Sequence, residues 1–141
     1  MKIVELINKS CKQRDNFVIF AEDHANYLET QQRVEQLNPQ VVYHEFAQDR
    51  ETKEWAESQG YELKLLDFSY EAKKQLTLKV GENSERFHRI RERHMKRVID
   101  RADPSKLTAF VMGYDHALDS KSVIFKDKNL IKVGPDGRVY K

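Results

Sequence analysis

Cysteine is nearly absent: Cys11 is the only one among 141 residues. A disulfide framework is therefore excluded, and a reducing, cytoplasmic setting is expected. Long hydrophobic runs are missing as well. None approaches the ~20 residues that cross a bilayer, and no apolar core with a small-residue cleavage site follows Met1. Neither a membrane partner nor a signal peptide is expected. Charge of one sign is not in excess. With 25 basic and 23 acidic residues the formal net charge is +2, which gives no general case for nucleic acid as a partner. Gly-x-Gly-x-x-Gly, Gly-Lys-Ser/Thr and Gly-x-Ser-x-Gly do not occur, so dinucleotide, P-loop and nucleophile-elbow chemistries are unsupported. No Gly/Ser-rich linker divides the chain, and one domain over residues 1–141 is expected.

Charged residues make up 34% of the chain and hydrophobic ones 39%, which suits a globular core under a heavily charged surface. Met1–Lys12 reads as a short helix, with a strand as the second reading. Phe17–Phe20 is a continuous apolar run of the kind found in strands covered on both faces. Asn26-Tyr-Leu-Glu29 has the form of a capping box for a helix ending near Leu37. Val41–Phe46 and Tyr61–Phe68 read as strands, with a polar helix between them that Asp49 can cap and Gly60 can stop. The stretch from Ser69 mixes a short helix with a loop near Gly81. Ser84 or Asn83 opens a strong helix to about Ala102. Leu107–Met112 is a fourth strand, and the tail around Pro135-Asp136-Gly137 reads as a hairpin. The alternation predicts an α/β fold: a mostly parallel open sheet of about four strands, helices on both faces, and a C-terminal hairpin.

Acids and imidazoles gather where these strands end. Phe17–Phe20 runs into Ala21-Glu22-Asp23-His24. The second strand closes on His44-Glu45. The fourth leads to Gly113-Tyr114-Asp115-His116, which repeats the small-x-Asp-His-Ala pattern of the first. In an open parallel sheet ligands bind beyond the carboxyl ends of the strands, so the groups converge if those strands are neighbours. Ala21 and Gly113 are small enough for a ligand or another backbone to come close. Asp23 and Asp115 suit turns or caps. His44 is read as structural, while Glu22, His24, Glu45 and His116 are read as functional. On the long helix, Phe87, Ile90, His94, Met95 and Val98 form an apolar face at ~100° per residue, with His94 a satisfied core residue. Arg91 lies near the centre of that face. A guanidinium there stays charged and must meet a carboxylate, Glu22 or Glu45, or an anionic ligand. The outer basic residues of the helix are a solvated face without interleaved aromatics, which again disfavours nucleic acid.

In this order AEDH, VVYHEF, RERHM and MGYDH resemble the motifs of the TraB/Tiki, ChaN and erythromycin-esterase superfamily. The resemblance spans Phe17 to His116. Its Gly-x-x-His motifs fall on Ala21–His24 and Gly113–His116, its Glu on Glu45, and its Arg, four residues before a Met, on Arg91. Ala21 replaces the first Gly, and the chain is far shorter than typical members. Glu22 matches the acid of the esterase branch. The family implies three chemistries: metal-dependent peptidases, esterases with a His general base, and haem-iron binding.

The expected activity is hydrolysis of an ester or peptide bond in a small-molecule or peptide substrate. His24 activates water, oriented by Glu22 or Glu45. Arg91 fixes a carboxylate or holds the oxyanion. A divalent metal, Mn, Zn or Fe, would sit on His24, Glu45 and His116, with Asp115 as a further ligand; haem ranks below it. The alternative is a binder of a metal, haem or small anion without turnover. A homodimer covering the open crevice is a further expectation.

Overall fold

The computed structural model describes residues 16–82 and 84–140. The helix expected over Met1–Lys12, and Cys11 with it, lie outside the described residues. Among the described residues six strands form one sheet in the order β3-β2-β4-β1-β5-β6. They are β1 Phe17–Glu22, β2 Val41–His44, β3 Glu62–Leu65, β4 Thr108–Gly113, β5 Ile131–Val133 and β6 Val139–Tyr140. The first five run parallel, and β6 returns antiparallel to β5. The chain is thus α/β with a mostly parallel sheet and a C-terminal hairpin, as its alternation predicts. The hairpin is not an appendage: β5 pairs with β1, Val18 opposite Ile131, and extends the sheet.

Every residue of β1 and of β4 is buried, because helices cover both faces. On one face Val18, Phe20, Val42 and Val111 pack beneath α1 (Tyr27–Leu37) and α2 (Arg50–Gln59) through Val34, Leu37 and Ala56. On the other, Ile19, Phe110 and Met112 pack beneath α4 (Glu85–Arg101), α5 (Tyr114–Ala117) and α6 (Val123–Lys126) through Met95, Ile99 and Ile124. Each fully buried apolar side chain contributes ~1.5–3 kcal/mol. Burial on two sides also explains why these strands read as unbroken apolar runs rather than alternating ones.

Local chemistry sets the boundaries. The stretch after Ser69 is a full helix, α3 (Tyr70–Val80), whose first turn is capped by the Ser69 hydroxyl accepting from the Ala72 N–H. None of its residues is buried, which is why its periodicity is weak in the sequence. The Ser84 hydroxyl caps α4 by accepting from the Phe87 N–H. Asn26 occupies the N-cap position of α1 without a side-chain cap bond; its amide donates instead to Asp23 Oδ2. Asp23 accepts from the Ala25 N–H and caps the short 3-10 turn His24–Asn26. β2 and β3 stop at His44 and Leu65, short of the expected Phe46 and Phe68, so Glu45 and Asp67 lie past the strand ends.

The connections define where a ligand can bind. The chain leaves β1 through α1 on one face and leaves β4 through α5 and α6 on the opposite face. β1 and β4 are neighbours. The divergence of their connections makes their carboxyl ends the topological switch point of the sheet, the edge at which ligands bind in such folds.

Candidate active site

The order β2-β4-β1 brings the three expected clusters to one edge. Glu22 ends β1, with His24 two residues on. Glu45 follows β2; its N–H still donates to the Val111 carbonyl of β4, which holds its side chain toward the crevice. His116 sits in α5 directly after β4.

The side chains form one chain of contacts. His24 Nδ1 lies 3.0 Å from Glu22 Oε1, and His24 Nε2 is turned to Glu45 Oε2 at 3.9 Å. His116 Nδ1 lies 2.8 Å from Glu92 Oε2, and its Nε2 is turned to Glu45 Oε1 at 3.9 Å. Glu45 is therefore flanked by two imidazoles, each held at its far nitrogen by a buried carboxylate. Glu45 itself is fixed from two sides: the Gly113 N–H donates to Oε2 at 2.7 Å and Arg91 Nη2 to Oε1 at 2.7 Å. A carboxylate on Nδ1 sets the tautomer that leaves the Nε2 lone pair for a proton or a metal.

Arg91 is buried as the helix pattern requires, and Glu45 is one of its partners. The second is Asp67, whose Oδ2 accepts from both Nε at 2.9 Å and Nη2 at 2.5 Å. Arg91 thus binds the protein's own carboxylates and organises Glu45, rather than presenting those donors to an oxyanion. The buried face of α4 consists of Phe87, Arg91, Glu92, Met95 and Ile99. Ile90, His94 and Val98, expected on that face, are only half-buried, because ion pairing draws Arg91 and Glu92 inward. His94 stacks on Phe68 with ring centroids 4.0 Å apart.

Asp67 and Glu92 belong to this cluster through Arg91 and His116, and the sequence conceals them. Asp67 falls inside what reads as a strand, and Glu92 sits in a run of charges. The one available signal was charge balance, since a buried guanidinium flanked by a single acid leaves capacity for a second. His44 is buried; its Nδ1 accepts from the Phe46 N–H at 2.9 Å, and its Nε2 lies 3.8 Å from Glu22 Oε2. It closes the turn after β2 and stands behind Glu22. Asp115 is exposed while His116 beside it is buried, so Asp115 is not brought into the cluster.

The electrostatics separate the two kinds of group. The hydrogen bond to Glu22 raises the His24 pKa above 6.5 against the opposing effect of burial, with Glu45 adding to the rise. Burial lowers the His44 pKa and keeps that ring neutral. Glu45 stays ionised: burial pushes its pKa upward, but His116, the Gly113 N–H and Arg91 together hold it below the usual value.

Two cavities meet this edge. A crevice of about 130 Å³ lies beside His24, lined by Glu22, Tyr27, His44 and Phe46. A groove of about 500 Å³ runs along Glu45, Phe46, Lys73, Phe87 and Arg91. The Phe46 ring lines both and stands edge-on to His24, centroids 4.8 Å apart.

Among the described residues, no three His, Cys, Asp or Glu side chains close round one point as a metal cage. In donor type the cluster suits a divalent cation: two imidazoles with Nδ1 engaged and Nε2 turned toward a shared carboxylate. No family model, curated protein or solved structure matches the chain. Among the described residues no helix is long and apolar enough to cross a membrane.

Gly113 supplies space rather than an unusual backbone angle. A Cβ there would lie 3.0 Å from His24 Nε2 and 3.6 Å from Glu45 Oε2. Gly113→Ala is therefore expected to displace the half-exposed His24 ring while costing under ~1 kcal/mol of stability. Imidazole chemical shifts and a urea titration check this. An unmoved His24 resonance would contradict it.

Proposed function

We propose that this protein is a hydrolase of ester or peptide bonds in which His24 is the general base. The observation that carries the reading is the His24 ring itself. It is held at Nδ1 by Glu22, its side chain is 48% exposed, Nε2 is turned to Glu45 Oε2 at 3.9 Å, and the ring lines the crevice beside Glu22 and His44. Nε2 takes a proton from water as the water attacks the carbonyl carbon, and returns it to the leaving group as the tetrahedral intermediate collapses. Glu22 fixes the ring and stabilises the imidazolium, as does the ionised Glu45. Arg91 and Asp67 hold Glu45 in place. The larger groove gives room for the body of the substrate. If a divalent metal takes part, His24, Glu45 and His116 are the residues to hold it, and it would supply Lewis-acid activation of the water.

The test is a screen of ester, peptide and phosphoester substrates with and without Mn²⁺, Zn²⁺ or Fe²⁺. Turnover of an ester or a peptide is expected. No turnover in any class would sink the hydrolase and leave a binding site for a metal or small anion.

The pH dependence follows from the same contacts. A general base must be neutral, and the His24 pKa is raised above 6.5, so kcat/KM should climb with pH through a midpoint above 6.5. Glu22→Gln removes the largest cause of the rise, so its midpoint should fall toward the ordinary histidine value together with the rate. A profile unchanged by that substitution would exclude His24 as the titrating base.

A further inference from the structure

The outermost strand β3 ends the sheet beside β2, and among the described residues no strand pairs with its far edge. The direction of its backbone groups follows from the bonds it makes. The Glu62 N–H donates to the Gln40 carbonyl and the Leu66 N–H to the His44 carbonyl. With the two-residue period of a strand, Glu62, Lys64 and Leu66 point inward to β2. Leu63 and Leu65 then point their N–H and C=O groups outward along the free edge. Such an edge is a template for another strand.

We infer that β3 pairs antiparallel with β3 of a second copy of this chain, about a twofold axis at Leu63. The charges select both the partner and the register. Only outward-pointing residues can face one another in hydrogen-bonded pairs, so odd-numbered residues must oppose odd-numbered ones. Centred on Leu63, the pairing sets Glu62 of each copy opposite the partner copy's Lys64, in the closer, non-hydrogen-bonded pairs. Shifted by one step either way, it sets Lys64 against Lys64 or Glu62 against Glu62. Opposite charges across a strand pair stabilise it and like charges oppose it. Every such pairing is twofold, and of these three registers the one centred on Leu63 alone pairs unlike charges, doing so twice by symmetry.

The apolar side of the strand agrees. Leu63 and Leu65 are half-exposed and border a groove of about 400 Å³ with Ala47, Ala56 and Tyr61. In the same register Tyr61 of one copy stands opposite Leu65 of the other, so the two apolar rows join over α2. A continuous sheet of twelve strands results, two copies of six. The interface lies on the flank of the sheet and leaves the crevice at His24 open.

Sedimentation equilibrium on the whole chain tests this. The expected mass is twice 16.7 kDa. Leu63→Pro removes an outward N–H that β2 does not use and should give monomers with an unchanged circular dichroism spectrum. Lys64→Glu places acids opposite one another at both symmetric pairs and should weaken the dimer about tenfold. The double exchange Glu62→Lys with Lys64→Glu restores opposite charges and should recover the wild-type dissociation constant. A wild-type chain that sediments as a monomer at every concentration overturns the proposal. A dimer indifferent to Leu63→Pro and Lys64→Glu overturns it too, and failure of the exchange to restore affinity overturns the register.

Discussion

Replacing His24 with alanine is expected to lower kcat by about 10²–10⁴-fold, the range a positioned general base supplies, while the fold survives. The side chain is half exposed and belongs to neither apolar layer, so little packing is lost. The cost falls on Glu22. This carboxylate is buried and would lose its 3.0 Å contact with Nδ1, leaving His44 Nε2 at 3.8 Å. An under-satisfied buried acceptor costs ~1–3 kcal/mol. His24→Asn separates the two effects, because its amide can still donate to Glu22 but has no counterpart of Nε2. It should be as inactive as His24→Ala and closer to wild type in urea midpoint. Activity retained by both variants would remove His24 from the chemistry. Stability and turnover should also respond oppositely to pH. His24 has a raised pKa in the fold, so its contribution to stability is complete below about pH 6.5. That contribution is lost as pH rises through the folded value, which is where the neutral form required of the proposed general base appears.

Arg91→Met is expected to destabilise the protein by ~3–5 kcal/mol, the usual penalty for removing one partner from a buried ion pair. Glu45 and Asp67 are both buried, and Arg91 bonds to both. Without it Asp67 keeps the Phe68 N–H on Oδ1 at 2.7 Å and Lys73 Nζ at 3.6 Å from Oδ2, and Glu45 keeps the Gly113 N–H. The apolar volume of methionine beside Phe87 does not offset two carboxylates in so dry a place. Adding Asp67→Leu to Arg91→Met should recover part of the loss, since it removes one uncompensated charge. A denaturant series over wild type, single and double variants measures the coupling. A single variant as stable as wild type would show that Arg91 contributes nothing net, and would make the cluster a dispensable salt-bridge network. Loss of turnover alone, with stability kept, would place Arg91 on the substrate instead.

Much of this molecule is readable from its residues one stretch at a time. The unbroken apolar run at Phe17–Phe20 predicts a strand covered on two sides, because burial on both faces disfavours polar residues, and Leu107–Met112 predicts another strand. Arg91 in the apolar stripe of a helix predicts a buried ion pair, because a guanidinium does not lose its charge. Acids and imidazoles just past several strands predict a site at one edge, because parallel strands all end on the same side. Strand order is different. It depends on how helices share the two faces of the sheet, and only the folded chain puts β4 between β1 and β2 and so brings Glu45 between His24 and His116. Asp67 and Glu92 become site residues through that same packing.

The repeated tripeptide shows the division most plainly. Asp-His-Ala occurs twice with nearly the same lead-in, and nothing local distinguishes the copies. After β1 it forms an exposed 3-10 turn, leaving His24 at the mouth of the crevice. After β4 it forms a short helix whose His116 and Ala117 are buried, with His116 held by Glu92 of α4. The residues by themselves determined that two imidazoles would stand at the ends of two strands. Which one meets solvent was decided by tertiary packing, because α4 covers the end of β4 while the chain beyond β1 turns away to the opposite face.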